Sequence, residues 1–577
     1  MFAEYEIAMV MMAFCAITAI VILVYALRTA FDRGAGEIGG WELRGARDRI
    51  FAVARVTLAE GLRTRIAAAF ALMILISIPL FWLTAEGDGT IKGRVQMFLA
   101  YSMGFAGFLL ALLTIFFSCR SLSTEIAKRQ IYGVVCKPVP RWQILVGKWT
   151  GVMALNVALV TIACLSAYAG TVTILARFKS HLAHQLETYS SLTPAEVAAA
   201  ITALDNVRGA GAKGMDSPII PVLADALGRS NDQIGDLLLR LPEATRVDLR
   251  RFDELRRQVL VSRANLTPEI PDMTEETNEI YKKMETEGRL PAGWSPADIR
   301  KQIRTGLSRT YQTVSFGYGR KWDLHGPKPE TGRDFLMSVR FKISASGYMA
   351  ADPEAGLEDR TMLIGWGLGD PGPDPPMFYE AVAAHPVNTF NEFDIPAECV
   401  ADDGTISLRV ANIDPRRVDA VFDLPWGLQV LYRVGSFELN LFQVGLAILI
   451  PLACLAAVGV CVSTFLSFPV GSLILLTFYI ISASIGFVAE SLGTTSDYYD
   501  PNNITWQIQL RQKTVAALEL AFAIGDSEPV DQMIEGRSIG WSTLWNNTWK
   551  FVFVKGLLVL IVAVLIFRRR ELAAVIV

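Results

Sequence analysis

Apolar residues in this chain gather into runs of about 18 to 28 positions, long enough to cross a hydrocarbon core as helices. Seven runs predict seven spans, at 6–27, 67–84, 97–118, 149–176, 441–464, 469–489 and 551–567. Between the fourth and fifth the pattern changes. Residues 177–312 are rich in charged helix formers, with helix starts at Thr193-Pro194-Ala195-Glu196 and Ser295-Pro296-Ala297-Asp298. Each places a capping hydroxyl, a proline in the first turn and an acid at the third helical position. The charged run from Asp248 to Arg257 reads as a solvated helix face. From 313 to 438 the period becomes two. Phe335–Ser344, Ile406–Val410, Leu428–Tyr432 and Glu438–Leu441 alternate between apolar and mostly polar, and turn-rich stretches such as Gly369–Pro376 separate them. That spacing predicts a jelly-roll-like β-sandwich.

The fold class expected is therefore an α-helical polytopic membrane protein of about seven spans, with an inserted extracytoplasmic α+β domain containing a β-sandwich. Residues 1–46 form an anchor span and a glycine-rich linker. Residues 47–176 hold an interfacial helix and three spans. In that helix Ile50, Val53, Ala54, Leu58 and Leu62 recur at helical spacing with arginines on other faces. Residues 177–312 are the helical part of the insert and 313–438 its sandwich. Residues 439–577 carry the last three spans, with an outer re-entrant or helical segment at 490–550. That segment includes a helix-like stretch, 506–524, and interface tryptophans Trp541, Trp545 and Trp549.

Composition agrees with this layout. Of 577 residues 52% are hydrophobic and 19% charged, against about one quarter charged in a soluble domain. The net charge of −3 gives no reason to expect a nucleic-acid partner. The first run follows Glu4 and Glu6 and no base, so an anchor fits it better than a signal peptide. Basic residues cluster in 28–66, in 119–148 and at Arg568, Arg569 and Arg570. Seven spans put all three clusters on one side, which the positive-inside rule makes cytoplasmic. The N-terminus is then outside and the C-terminus inside. Only Cys399 lies in the insert, so that domain has no internal disulfide.

The candidate chemistry lies in 119–148. A short inner helix flanked by prolines and rich in Lys and Arg, joining two spans, can seat in a groove of a soluble partner and pass its movement to both spans. The alternative is that these bases only set topology and bind lipid head groups. The stretch resembles the cytoplasmic connection of the type-2 ABC transporter permeases. Glu125 matches the acidic position, and Lys128, Arg129 and Tyr132 follow it. Lys137, Pro138, Val139, Pro140 and Arg141 match a Pro-Val-Pro/Ser-Arg-like segment, and Gly147 and Lys148 match the pair that opens the next span. Upstream, Arg55, Glu60, Leu62 and Arg63 resemble the interfacial helix that begins such permeases. The resemblance covers the spans from 67 to 567 and is closest to the multi-copper-enzyme-maturation-type branch, from which copper is not carried over. The extra span 6–27 and the long insert depart from the pattern. The resemblance implies the membrane subunit of an ATP-driven exporter in a bacterial inner (plasma) membrane. Its partners would be two copies of an ABC ATPase holding ATP and Mg, a second permease half (a homodimer or a related chain) and membrane lipid.

No phosphate-binding loop occurs, since Gly147-Lys148 is followed by Trp149, so no cofactor is expected on this chain. His181 and His184 share a helix face without a third ligand, and His325 and His385 stand alone, so no metal site is expected. No catalytic constellation is present, which disfavours an enzyme. The spans are nearly free of charge, which argues against ion coupling. A different class of function also fits: a membrane-anchored binding or scaffold protein whose sandwich recognises a glycan or envelope protein. Trp322, Trp366, Phe378 and Tyr379 are its candidate contacts, with core packing as their ordinary role.

Overall fold

A computed structural model describes residues 43–569 except 64, 86, 88, 130–138, 191, 206–218, 291–294, 326–336, 346–360, 370–378, 396–398, 401–403, 425 and 495–528. The expected span 6–27 and the expected helix 506–524 lie outside the described residues. The chain divides into two compact units, one from Met1–His181 with Ser436–Val577, the other Leu182–Gly435.

The first unit begins with α1 (Leu43–Arg63), α2 (Arg65–Thr84), α3 (Ile91–Ala127) and α4 (Arg141–Tyr189). Thr90 caps α3 by accepting from the Gly93 N–H at 2.9 Å. Arg129, at φ +58°, turns the chain just past the end of α3. α1 and α2 meet at a bend of 64°.

The second unit carries α5 (Pro194–Asp205), α6 (Ile219–Leu227), α7 (Asn231–Arg240), α8 (Glu243–Gln258), α9 (Thr274–Thr286) and α10 (Pro296–Gln312). Both expected helix starts form. The Thr193 N–H donates to Glu196 Oε2 at 2.8 Å, and the Asp298 N–H donates to Ser295 Oγ at 3.2 Å. The strands are β1 (Val261–Leu266), β2 (Thr313–Val314), β3 (Gly319–His325), β4 (Met337–Lys342), β5 (Ser344–Ala345) and β6 (Thr361–Gly369). They continue with β7 (Tyr379–Pro386), β8 (Phe390–Ile395), β9 (Thr405–Asn412), β10 (Ala420–Val421) and β11 (Leu428–Ser436). Two four-stranded sheets, β1-β11-β4-β8 and β3-β9-β6-β7, and a small sheet β2-β10-β5 enclose one core. Phe341 of the first sheet meets Trp366 of the second with ring centroids 4.4 Å apart.

Three readings change here, and two candidate contacts take their ordinary core role. Val261–Leu266, placed in the helical part by sequence, is an edge strand beside β11. Its Arg263 is buried, which hides a simple alternation. Glu438–Leu441, read as the end of a strand pattern, is the first turn of a helix that runs on from Phe437. Its short alternation is overridden by the long apolar run behind it. Trp322 and Trp366 are core residues, 1% and 3% exposed, not surface contacts. Phe378 lies outside the described residues. The Asp248–Arg257 run is not a wholly solvated face either, because Phe252, Asp253, Leu255 and Arg257 are buried.

The chain returns to the first unit with α11 (Phe437–Ser463), α12 (Phe468–Thr494), α13 (Pro529–Ile534) and α14 (Trp541–Arg569), the last containing a π-helical stretch, Thr548–Gly556. Among the described residues α3, α4, α11 and α14 are long and apolar enough to cross a membrane, and the bent α1–α2 pair is a fifth if counted as one span. The run expected at 469–489 falls within α12. α11 packs against both α3 and α14. Gln96 Nε2 donates to the Ile534 carbonyl at 3.0 Å and Asn440 Nδ2 to the Arg537 carbonyl at 3.1 Å, fastening the segment around α13 to α3 and α11.

Candidate functional site

At the end of the helical unit where α3 stops and α4 starts, four helices share a tight cluster. Leu122 of α3, Leu145 of α4, Val460 of α11 and Phe567 of α14 are buried together there. Lys148 lies at this level and is 2% exposed. Among the described residues it is the single charged side chain buried in the helical unit.

A buried ammonium is costly unless it is paired and hydrogen-bonded. Lys148 has both kinds of partner. Its Nζ lies 2.8 Å from Glu125 Oε1 and donates to the Ser121 carbonyl at 2.7 Å. Both partners come from the last turns of α3, so the lysine ties the foot of α4 to the foot of α3. Glu60 of α1 lies in the field of Lys148, Glu125, Arg120 and Lys128. Three helices thus contribute charge to one spot.

α1 reaches α4 because α4 presents glycine at two positions one turn apart. A Cβ on Gly147 would sit 2.6 Å from Val53 Cβ and 2.9 Å from the Ile50 carbonyl oxygen. One on Gly151 would sit 2.7 Å from the Ala54 carbonyl oxygen and 2.7 Å from Thr57 Cβ. The small-xxx-small spacing lets two helix backbones approach closely. Gly61 plays the same part for α1, where a Cβ would sit 2.7 Å from Phe117 Cζ.

Arg141 goes elsewhere. Its guanidinium donates to the carbonyls of Phe567 at 2.6 Å and Arg568 at 2.9 Å, capping the C-terminus of α14 and stacking over the Phe567 ring at 5.6 Å. Trp149 adds a second tie, its Nε1 donating to the Ala453 carbonyl of α11 at 2.9 Å.

Of the residues singled out by sequence, Glu125, Glu60, Gly147 and Lys148 are brought together. Arg141 is placed on α14. Arg63, Lys128, Arg129 and Pro140 are exposed, and Arg55 is half-buried on α1. Tyr132, Lys137 and Pro138 lie outside the described residues. Sequence reading missed Ser121, Gly151, Trp149 and Phe567. The spacing of Gly147 and Gly151 was the available signal for one of them. No known protein family and no curated protein matches the chain.

Proposed function

We propose that this chain is the membrane subunit of an ATP-driven transporter of the type-2 permease kind, working outward and energised by a separate ATPase. One observation carries the reading. Lys148, the single buried charge among the described residues of the helical unit, locks to Glu125 at the junction of α1, α3 and α4, beside exposed Lys128 and Arg129. A partner gripping the exposed residues would move two long helices together, because the ion pair makes their feet one body. Arg141 would extend that motion to α14 through its carbonyl bonds. In this reading the basic end faces the cytoplasm, lipid surrounds the apolar helices, and a second permease half completes the path. The chain itself holds no nucleotide; ATP and Mg sit on the partner.

The test is purification of the tagged chain in gentle detergent, with mass spectrometry of what accompanies it, for the native protein and for Lys128→Glu/Arg129→Glu. These two side chains are exposed, so the variant leaves the buried pair intact. An ATP-binding subunit present with the native chain and lost from the variant supports the reading. A folded native chain that brings down no ATPase overturns it.

A membrane-anchored binding protein is the second reading. Two of its four candidate contacts, Trp322 and Trp366, are core. A groove on the sheet β3-β9-β6-β7 gives it another basis.

A further inference from the structure

Side chains of β6 alternate in direction. Met362, Ile364, Trp366 and Leu368 are buried in the core, so Leu363, Gly365, Gly367 and Gly369 fall on the opposite face, where Leu363 and Gly365 are half-buried and Gly367 and Gly369 are buried. β6 is an interior strand, between β9 and β7. Glycine there forfeits side-chain packing and is disfavoured by up to about 1 kcal/mol per position. The second unit carries three such positions in a row, and the surrounding chain does not demand the one at 365. Its φ is not left-handed, and a Cβ there would meet only Ala411 Cβ at 3.6 Å, the Ala411 carbonyl oxygen at 3.8 Å and Val382 Cγ2 at 4.0 Å, all ordinary contacts. On β3, a Cβ at Gly319 would meet only the Val410 carbonyl oxygen, at 3.5 Å. A glycine floor that packing does not require marks a place where something else comes close.

The register shows what surrounds that floor. Gly319, Ala411, Gly365 and Val382 form one row across the sheet, and Lys321, Arg409, Gly367 and Glu380 form the next row on the same face. Together they bound a groove of about 540 Å³. In the second row a guanidinium stands on one side of Gly367 and a carboxylate on the other. Lys321 is already held by Asp323 at 3.2 Å. Arg409 and Glu380 make no ion pair or hydrogen bond with other described residues, although only Gly367 separates their strands. Two interstrand steps of about 4.8 Å set their backbones about 10 Å apart. The β6 backbone is spent in ladders to both neighbours, so the floor offers flatness and no further polar groups.

A complementary ligand is thin, has small side groups, and carries a carboxylate at one end and an ammonium at the other. An extended tripeptide, about 10 Å long, has those properties. We propose that this face of the sheet binds a short zwitterionic peptide, its carboxylate on Arg409, its ammonium on Glu380 and its backbone over Gly365. The site stands on the second unit alone and does not depend on whether an ATPase binds.

Equilibrium dialysis of labelled tri-alanine against the full chain in lipid nanodiscs tests this. Saturable binding is expected, weakened at least tenfold by N-acetylating or C-amidating the peptide. In Arg409→Gln, binding falls to the level of the amidated peptide, and amidation costs nothing further. Gly365→Val raises the floor and abolishes binding without lowering the unfolding midpoint. Absence of saturable binding by the native chain would overturn the proposal, as would binding that the capped peptides and Gly365→Val leave intact.

Discussion

The two units handle buried polarity in opposite ways. In the helical unit most buried hydroxyls bond back to their own helix: Ser123 to the Cys119 carbonyl at 2.6 Å, Thr171 to the Ala167 carbonyl at 2.9 Å. Polar ties between helices include Lys148 to Glu125, Asn156 Nδ2 to Thr114 Oγ1, Trp149 to the Ala453 carbonyl, Arg141 to the Phe567 carbonyl and Gln96 to the Ile534 carbonyl. The second unit instead buries Asp253, Arg257, Arg263, Arg340 and Asp414, and all but Asp253 reach a partner on another element. Arg263 of β1 bonds to Ser338 of β4 and Glu392 of β8, and Arg257 of α8 pairs with Asp253 at 2.8 Å and faces Asp394 at 3.8 Å. Where charges share several partners, each one is replaceable. Lys148 has one ion-pair partner, Glu125, and one carbonyl partner, Ser121, both on the same helix, which singles out the foot of α3 and α4.

The difference can be broken by mutation, and its largest signature is at Glu125. Glu125→Ala leaves Lys148 buried without its counter-ion and is expected to cost roughly 3–5 kcal/mol, seen as a lowered unfolding temperature in nanodiscs. Glu125→Leu/Lys148→Met, which removes both charges, recovers most of that loss. A smaller effect, about 2 kcal/mol, is expected for Arg263→Met in the second unit, because Ser338 still donates to Glu392 at 2.8 Å. If Arg263→Met proves the more damaging, the contrast between the units is wrong.

Next comes the α1–α4 seam. Gly147→Ala forces a contact near 2.6 Å with Val53 and is expected to lose about 1–2 kcal/mol, overpacking outweighing the helix propensity gained. Gly107→Ala on α3, with nothing within 4 Å of its Cβ, is the control and is expected to be neutral or stabilising in the same assay.

The smallest effect is a pH dependence. Burial, opposed by Arg257 and reinforced by Glu392, pushes the Asp394 carboxyl up to about 6. Its side chain is 37% exposed, which limits the consequence. A carboxyl whose folded value is raised takes up protons more readily folded than unfolded. Its share of stability is therefore largest at low pH and falls as pH rises from about 4 to about 6. His385, lowered by burial, acts the other way, losing stability as pH falls through 6.5. The difference between native and Asp394→Asn unfolding profiles isolates the aspartate. It is expected to shrink toward neutral pH as the native chain loses its advantage.

Much of this organisation was legible in the sequence for a physical reason. The runs at 97–118, 149–176, 441–464 and 551–567 are long and uniform, and length settles helix against strand. The caps at Thr193 and Ser295 are local chemistry and formed as read. β1 was not legible, because one short strand with a buried arginine depends on partners far along the chain. The meeting of Glu125 with Lys148 was also hidden. Both were named by resemblance, but that they touch follows from how α3 and α4 pack, and Arg141 turning to α14 follows from the same packing. The glycines of β6 were visible as letters, and only the register set them between Arg409 and Glu380.

Photo-crosslinking from position 128 or 129 tests the central claim most directly. A photoreactive residue replaces Lys128 or Arg129, cells are irradiated, and the adducts are identified by mass spectrometry. A crosslink to an ATP-binding protein is expected from these exposed positions and none from Leu558 of α14, an apolar side chain 59% exposed. Crosslinks from 128 and 129 to lipid alone would contradict it and leave the basic end as a membrane anchor.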